Sequence, residues 1–197
     1  YVANAEASKM VLNSLNKISK TESSILLSGL TGSGREFLAR KIHFESNRNN
    51  KRFKVIDFYD LDRVKTEIKL FGSEEKGIIK SVGILEDVNG GTLFVKNIDK
   101  MNSKIQGKIL RVLEEKKYYR IGGLSPNNIN FRIISSSKML LNDLKKCGSF
   151  RTDLLNKINF FEIMVPSIRE RTEDINDLVK EFLISSLNFH KMNIENV

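Results

Sequence analysis

An apolar run, Ile25-Leu26-Leu27, leads into Gly29-Leu30-Thr31-Gly32-Ser33-Gly34-Arg35-Glu36, and a helical pattern, Phe37-Leu38-Ala39-Arg40-Lys41-Ile42, follows. Strand, glycine-rich turn and helix in this order constrain the fold more than any other stretch, because this is the layout of a phosphate-binding loop. Its glycines let backbone N–H groups close round an anion, and the helix N-terminus adds partial positive charge. The usual pattern is G-x-x-x-x-G-K-[ST]. Here the glycines keep their spacing, but Arg35 stands at the lysine and Glu36 at the hydroxyl residue. Gly29, Thr31, Gly32, Ser33, Gly34, Arg35 and Glu36 are the candidate nucleotide-binding residues. The stretch reads equally well as a weak nucleotide site and as a tight strand–helix turn that has only kept its glycines.

The rest of the pattern says what surrounds this loop. Apolar positions recur at helical spacing over residues 9–19 and again over 102–116, where Ile105, Ile109, Leu110, Val112 and Leu113 share a face. Buried-type strands are expected at 25–28, 53–58, 92–95, 131–135 and 160–165. Further helices are expected at 35–46, 64–71, 140–146, 151–158 and 172–187, and the polar, glycine-punctuated residues 73–91 read as a connection. Strands alternating with helices predict a parallel sheet covered on both faces. Pro166–Arg171 marks a boundary, with an α/β core over residues 1–167 and the first part of a helical lid over 168–197.

The chain has 197 residues, enough for one domain with a real core, and 40% hydrophobic content, so a folded chain is expected. The net charge of +9 is spread from Lys9 to Lys191 without a block, which fits a solvated surface better than a nucleic-acid stripe. No apolar run approaches membrane length, no signal-peptide pattern opens the chain, and the start at Tyr1 suggests a piece of something longer. The single cysteine, Cys147, cannot form an internal disulfide, so a cytoplasmic location is expected. His43 and His190 are far apart and without companion ligands, which argues against a metal site.

Several segments together carry a resemblance. They are Leu70-Phe71-Gly72, Gly90-Gly91-Thr92-Leu93-Phe94, Gln106-Gly107-Lys108-Ile109-Leu110-Arg111-Val112-Leu113, Arg120-Ile121-Gly122-Gly123, Phe150-Arg151-Thr152-Asp153-Leu154, and Val165-Pro166-Ser167-Ile168-Arg169-Glu170-Arg171 followed by Glu173-Asp174-Ile175. In order and spacing they resemble the central AAA+ domain of sigma-54-dependent transcription activators, most of all NtrX-type response regulators. The resemblance implies a three-layer P-loop NTPase-like α/β fold, a five-stranded parallel sheet with helices on both faces and a small helical lid. It also implies self-association, a receiver domain before this region and a DNA-binding domain after it.

Carried over residue by residue, the resemblance also implies a damaged site. The family's loop ends Gly-Lys-Glu, so Glu36 is normal and Arg35 departs. After Thr92-Leu93-Phe94-Val95 the family has an Asp that holds Mg²⁺ and a Glu that prepares the attacking water; here these positions are Lys96 and Asn97. A charged lysine cannot ligate a hard cation, and asparagine cannot take a proton from water. Asp99 is read as the start of the next helix. Lys96 admits two readings: an ammonium that replaces the metal's charge, or, preferred on sequence alone, a solvated side chain. Lys138 falls at the family's phosphate-sensing position, and Arg151 and Lys157 at the arginines that reach a neighbouring subunit, with a local Arg151–Asp153 pair as the plain alternative. The sigma-contacting loop corresponds to residues 76–83, which are shorter and lack its aromatic residue, so direct remodelling of sigma-54 polymerase is not expected. The expectation is a structural, self-associating module with little or no hydrolysis, weak binding of ATP or ADP, no Mg²⁺ and no required cofactor. The alternative is an active AAA+ ATPase.

Overall fold

The computed structural model describes residues 2–59 and 63–189. The chain opens with helix α1 (Glu6–Ile18), strand β1 (Ile25–Ser28), helix α2 (Arg35–Phe44), strand β2 (Phe53–Asp57) and helix α3 (Arg63–Phe71). Two short strands, β3 (Ser73–Glu75) and β4 (Ile78–Ser81), precede helix α4 (Ile84–Asp87), strand β5 (Thr92–Lys96) and helix α5 (Ser103–Glu115). There follow β6 (Lys117–Tyr118), β7 (Asn127–Asn128), β8 (Arg132–Ser137), α6 (Leu141–Lys146), α7 (Thr152–Ile158), β9 (Phe161–Met164) and α8 (Ile175–Phe189).

Five strands form one sheet in the order β2-β5-β8-β1-β9, every neighbouring pair parallel. Successive side chains of a strand point to opposite faces, so each strand feeds two cores. Ile25 and Leu27 pack with Phe94, Ile134 and Ile163 against Leu15 of α1 and Leu38 and Ile42 of α2. Leu26 joins Leu93, Val95 and Ile133 against Ile105 and Ile109 of α5 and Leu154 and Leu155 of α7. Burying one such side chain contributes about 1.5–3 kcal/mol. Helix α5 begins where the Asn102 side chain accepts a hydrogen bond from the Ile105 N–H at 3.0 Å, and ends at Lys116 with φ of 55°. The expected parallel sheet with helices on both faces is therefore present.

Three features differ from the sequence reading. Residues 73–91 are not a plain connection: β3 and β4 pair antiparallel and α4 follows. Gly83 packs so tightly that a Cβ there would lie 2.4 Å from the Gly72 nitrogen, and Arg120 ties the hairpin to α4 through Glu74 at 3.4 Å and Glu86 at 2.7 Å. Residues 117–128 form a second small hairpin. Finally, β8 extends to Ser137, and all six of its residues are buried.

Two buried polar groups tie distant parts together. Arg132 donates to the Ser23 carbonyl at 3.2 Å and to the Ser19 and Ile18 carbonyls, so it closes the C-terminal end of α1. Burial pushes its pKa down to about 10. At the other end of α1, Asp174 accepts from the Asn4 N–H at 2.6 Å, the Ala5 N–H at 2.9 Å and the Ser8 hydroxyl. Neighbouring Arg171 donates to the Ser33 carbonyl of the glycine loop at 2.9 Å. Residues 168–174, placed by sequence in the lid, thus contact both α1 and the loop; residues 190–197 of that segment, His190 among them, lie outside the described residues. His43 is a core residue, 2.9 Å from the Thr92 hydroxyl.

Candidate nucleotide site

The glycine loop sits between the C-terminal end of β1 and the N-terminus of α2, at the edge where an open parallel sheet gathers its ligands. Gly32 has φ of 83° and Gly34, the N-cap of α2, has φ of 92°. These are conformations that other residues reach only with strain. No side chain caps α2, so its first N–H groups face the loop. A cavity of about 540 Å³ opens here, lined by Thr31, Gly32, Gly34 and Arg35 from the loop and by Asp57, Lys96, Asn97 and Lys138 from the strand ends. Gly29 and Leu30 instead line an adjoining, mostly apolar cavity of about 610 Å³, walled by Met10 and Val11 of α1 and by Met164 and Pro166; Lys138 borders both. Ser33 is buried beneath the loop. The apolar cavity escaped sequence reading, because its walls come from four separate stretches.

The parallel register of β2 with β5 places Asp57 directly beside Lys96. Lys96 is not a solvated side chain, as preferred on sequence. It is 31% exposed, and its Nζ lies 3.1 Å from Glu36 Oε2 and 3.2 Å from Asp57 Oδ2. The other oxygen of Glu36 accepts from Arg40 at 2.9 Å. The other oxygen of Asp57 accepts from the Asn97 Nδ2 at 2.6 Å and from the Tyr59 N–H at 3.0 Å. Burial raises both carboxyl pKa values, but these partners outweigh it and hold each below its ordinary range. Burial likewise lowers Lys96, yet Glu36 and Asp57 together raise it, so its ammonium stays charged.

Arg35 lines the cavity wall; its Nη1 is buried and has no hydrogen-bond partner among the described residues, and burial lowers its pKa against the opposing fields of Asp99 and Asp57. Asp99 does not start the next helix; it sits in the turn Ile98–Lys100, where it accepts from the Ser137 hydroxyl at 3.4 Å, and Asn102 caps α5. Lys138 stacks over the Tyr59 ring at 4.9 Å. Arg151, the N-cap of α7, and Lys157, within it, are exposed and line neither cavity. Arg151 pairs with Asp153 at 2.7 Å. A divalent cation does not fit between Glu36 and Asp57, because the Lys96 ammonium already fills the gap they would offer it. Among the described residues no three His, Cys, Asp or Glu side chains are grouped to hold a metal, and no helix is long and apolar enough to cross a membrane.

Sheet order, glycine loop and strand-end cavity together define a P-loop NTPase-like fold of the AAA+ type. Residues 1–164 match the family described as the Sigma-54 interaction domain. The chain belongs to that family. It is 39% identical over 170 residues to the nitrogen assimilation regulatory protein NtrX of Azorhizobium caulinodans, covering 86% of this chain and 37% of the relative. It is 33% identical over 181 residues to the transcriptional regulatory protein FlbD of Caulobacter vibrioides, covering 90% and 40%. The crystal structure of NtrX from Brucella abortus in complex with ADP superposes with a TM-score of 0.89 at 32% identity, covering 98% of this chain and 43% of that one. The chain thus spans less than half the length of these relatives.

Proposed function

We propose that the chain is the central domain of an NtrX-like response regulator in which the AAA+ fold serves as a structural, self-associating unit and turns over little or no ATP. It would link a receiver domain to a DNA-binding domain, and contact DNA only through the latter. The observation that carries this is the Lys96 ammonium clasped by Glu36 and Asp57, with Asn97 bonded to Asp57. Phosphoryl transfer needs a metal to gather phosphate charge and a group to orient water. Lys96 repels the metal. Asn97 cannot serve as a base. Asp57 and Glu36, the carboxylates left nearby, each have both oxygens engaged and their proton affinity lowered.

Nucleotide binding without turnover is supported by the loop geometry and by the adjoining apolar cavity, which is wide enough for a base. The similar Brucella protein has been crystallised with ADP and with ATP. The β3–β4 hairpin, standing where the family's sigma-contacting loop would be, exposes Ile78, Ile79 and Val82 but no aromatic side chain, which supports a role other than polymerase remodelling. A phosphate-release assay with ATP and magnesium tests the proposal. Release no faster than from protein-free buffer is expected; clear release that Arg35→Ala abolishes would establish an active ATPase instead.

A further inference from the structure

A P-loop that keeps its glycines but has lost its metal ligand still has to neutralise a phosphate chain. Without a cation, Glu36 and Asp57 would turn two negative charges towards the same cavity. Like charges brought close together near a protein surface repel, and that repulsion opposes binding. Two lysine contacts remove that obstacle: one oxygen of each carboxylate is spent on Lys96, at 3.1 and 3.2 Å, and the second oxygen of Glu36 is spent on Arg40. The ammonium therefore lies where a divalent ion bridging the two carboxylates would lie. Two further cationic residues line the cavity: Arg35, with a buried Nη1 that has no hydrogen-bond partner among the described residues, and Lys138, held over Tyr59.

We propose that Lys96 is a resident counter-ion that takes the place of the divalent metal, so that the site accepts a nucleoside di- or triphosphate free of magnesium. The proposal rests on the reading above that the loop still takes a nucleotide. The ammonium does two things at once. It cancels the carboxylates that would repel phosphate, and it fills the gap through which magnesium would enter. Magnesium demands ligand oxygens at about 2.0–2.1 Å and would have to break both ion pairs to reach them. The ligand's charge is met by Arg35, Lys138 and the open N–H groups of α2, none of which needs a metal.

Calorimetric titration of the 197-residue chain with ADP, once in EDTA and once in magnesium chloride, tests this. Affinities equal within about twofold are expected for the unaltered chain. In Lys96→Met the two carboxylates are exposed to the ligand and to metal. Affinity in EDTA should then fall about tenfold or more and return when magnesium is added. Magnesium alone should leave the melting temperature of the unaltered chain unchanged and raise that of Lys96→Met. Lys96→Arg, which keeps the charge, should keep binding in EDTA. Tenfold tighter ADP binding by the unaltered chain in magnesium would overturn the inference, as would a magnesium-induced rise in its melting temperature, a reading that does not depend on the variant folding. Absence of ADP binding under both conditions would also overturn it, while leaving the proposed lack of turnover standing. Phosphate release measured on the same samples reports on that lack of turnover separately.

Discussion

Single side chains decide the chemistry of this site, and their partners decide how those side chains behave. Lys96 and Asn97 follow a buried strand at the positions where the resemblance implies an Asp and a Glu. What they do instead depends on Asp57, about forty positions away, which becomes a neighbour only through the register of β2 with β5. That pairing is a tertiary fact, and no local pattern announces it. The cluster has a pH signature. Glu36 and Asp57 are held below their ordinary values of 4.5 and 3.8, so the stability they contribute is complete above those values and is lost as pH falls through the depressed folded values. Urea denaturation at a series of acidic pH values should show stability falling with pH in the unaltered chain and a shallower fall in Lys96→Met, whose carboxyls titrate nearer their unfolded values. Arg132 gives a second test at this scale. Three carbonyls depend on its guanidinium in a buried setting, so Arg132→Met should cost about 2–4 kcal/mol in the same experiment, with the loss concentrated at the C-terminal end of α1.

Elements with an apolar signature were legible, and elements without one were not. All five sheet strands could be placed because runs such as Ile25-Leu26-Leu27 and Phe131-Arg132-Ile133-Ile134 are buried on both faces. The β3–β4 hairpin was missed because its strands are three and four residues long, mostly polar or exposed, and held by Gly72, Gly83 and Arg120 rather than by a core of their own. Its anchor is testable. Gly83→Ala would press a methyl group into the backbone at Gly72, so the hairpin should lose its docking against α4 at about 1–3 kcal/mol; amide exchange over residues 72–83 should accelerate while the sheet keeps its protection. The start of α1 is likewise held from far along the chain, by Asp174, which binds the N–H groups of Asn4 and Ala5 and the Ser8 hydroxyl. Asp174→Ala should cost about 2 kcal/mol and raise exchange in the first turn of α1. It should also raise exchange at the glycine loop, because Arg171, 3.6 Å from Asp174, donates to the Ser33 carbonyl.

At the scale of the whole molecule, the proposal is that fold and chemistry have parted. The sheet order, loop glycines and strand-end cavity of the AAA+ fold are intact, and the chain belongs to the Sigma-54 interaction domain family. At the strand ends Lys96 is held by Glu36 and Asp57 in an internal ion-pair cluster. The fold was legible because the central strands β1, β5 and β8 are buried nearly throughout. The inactivity is a reading of side-chain identity, to which the structure adds partners and distances. The most direct test is a single-turnover experiment, with protein in excess over ATP, magnesium present, and the nucleotide recovered and identified by chromatography after long incubation. Excess protein exposes even slow hydrolysis that a multiple-turnover assay would miss. ATP recovered intact, as it is after incubation with Arg35→Ala, is the predicted result; conversion to ADP by the unaltered chain but not by Arg35→Ala would contradict it.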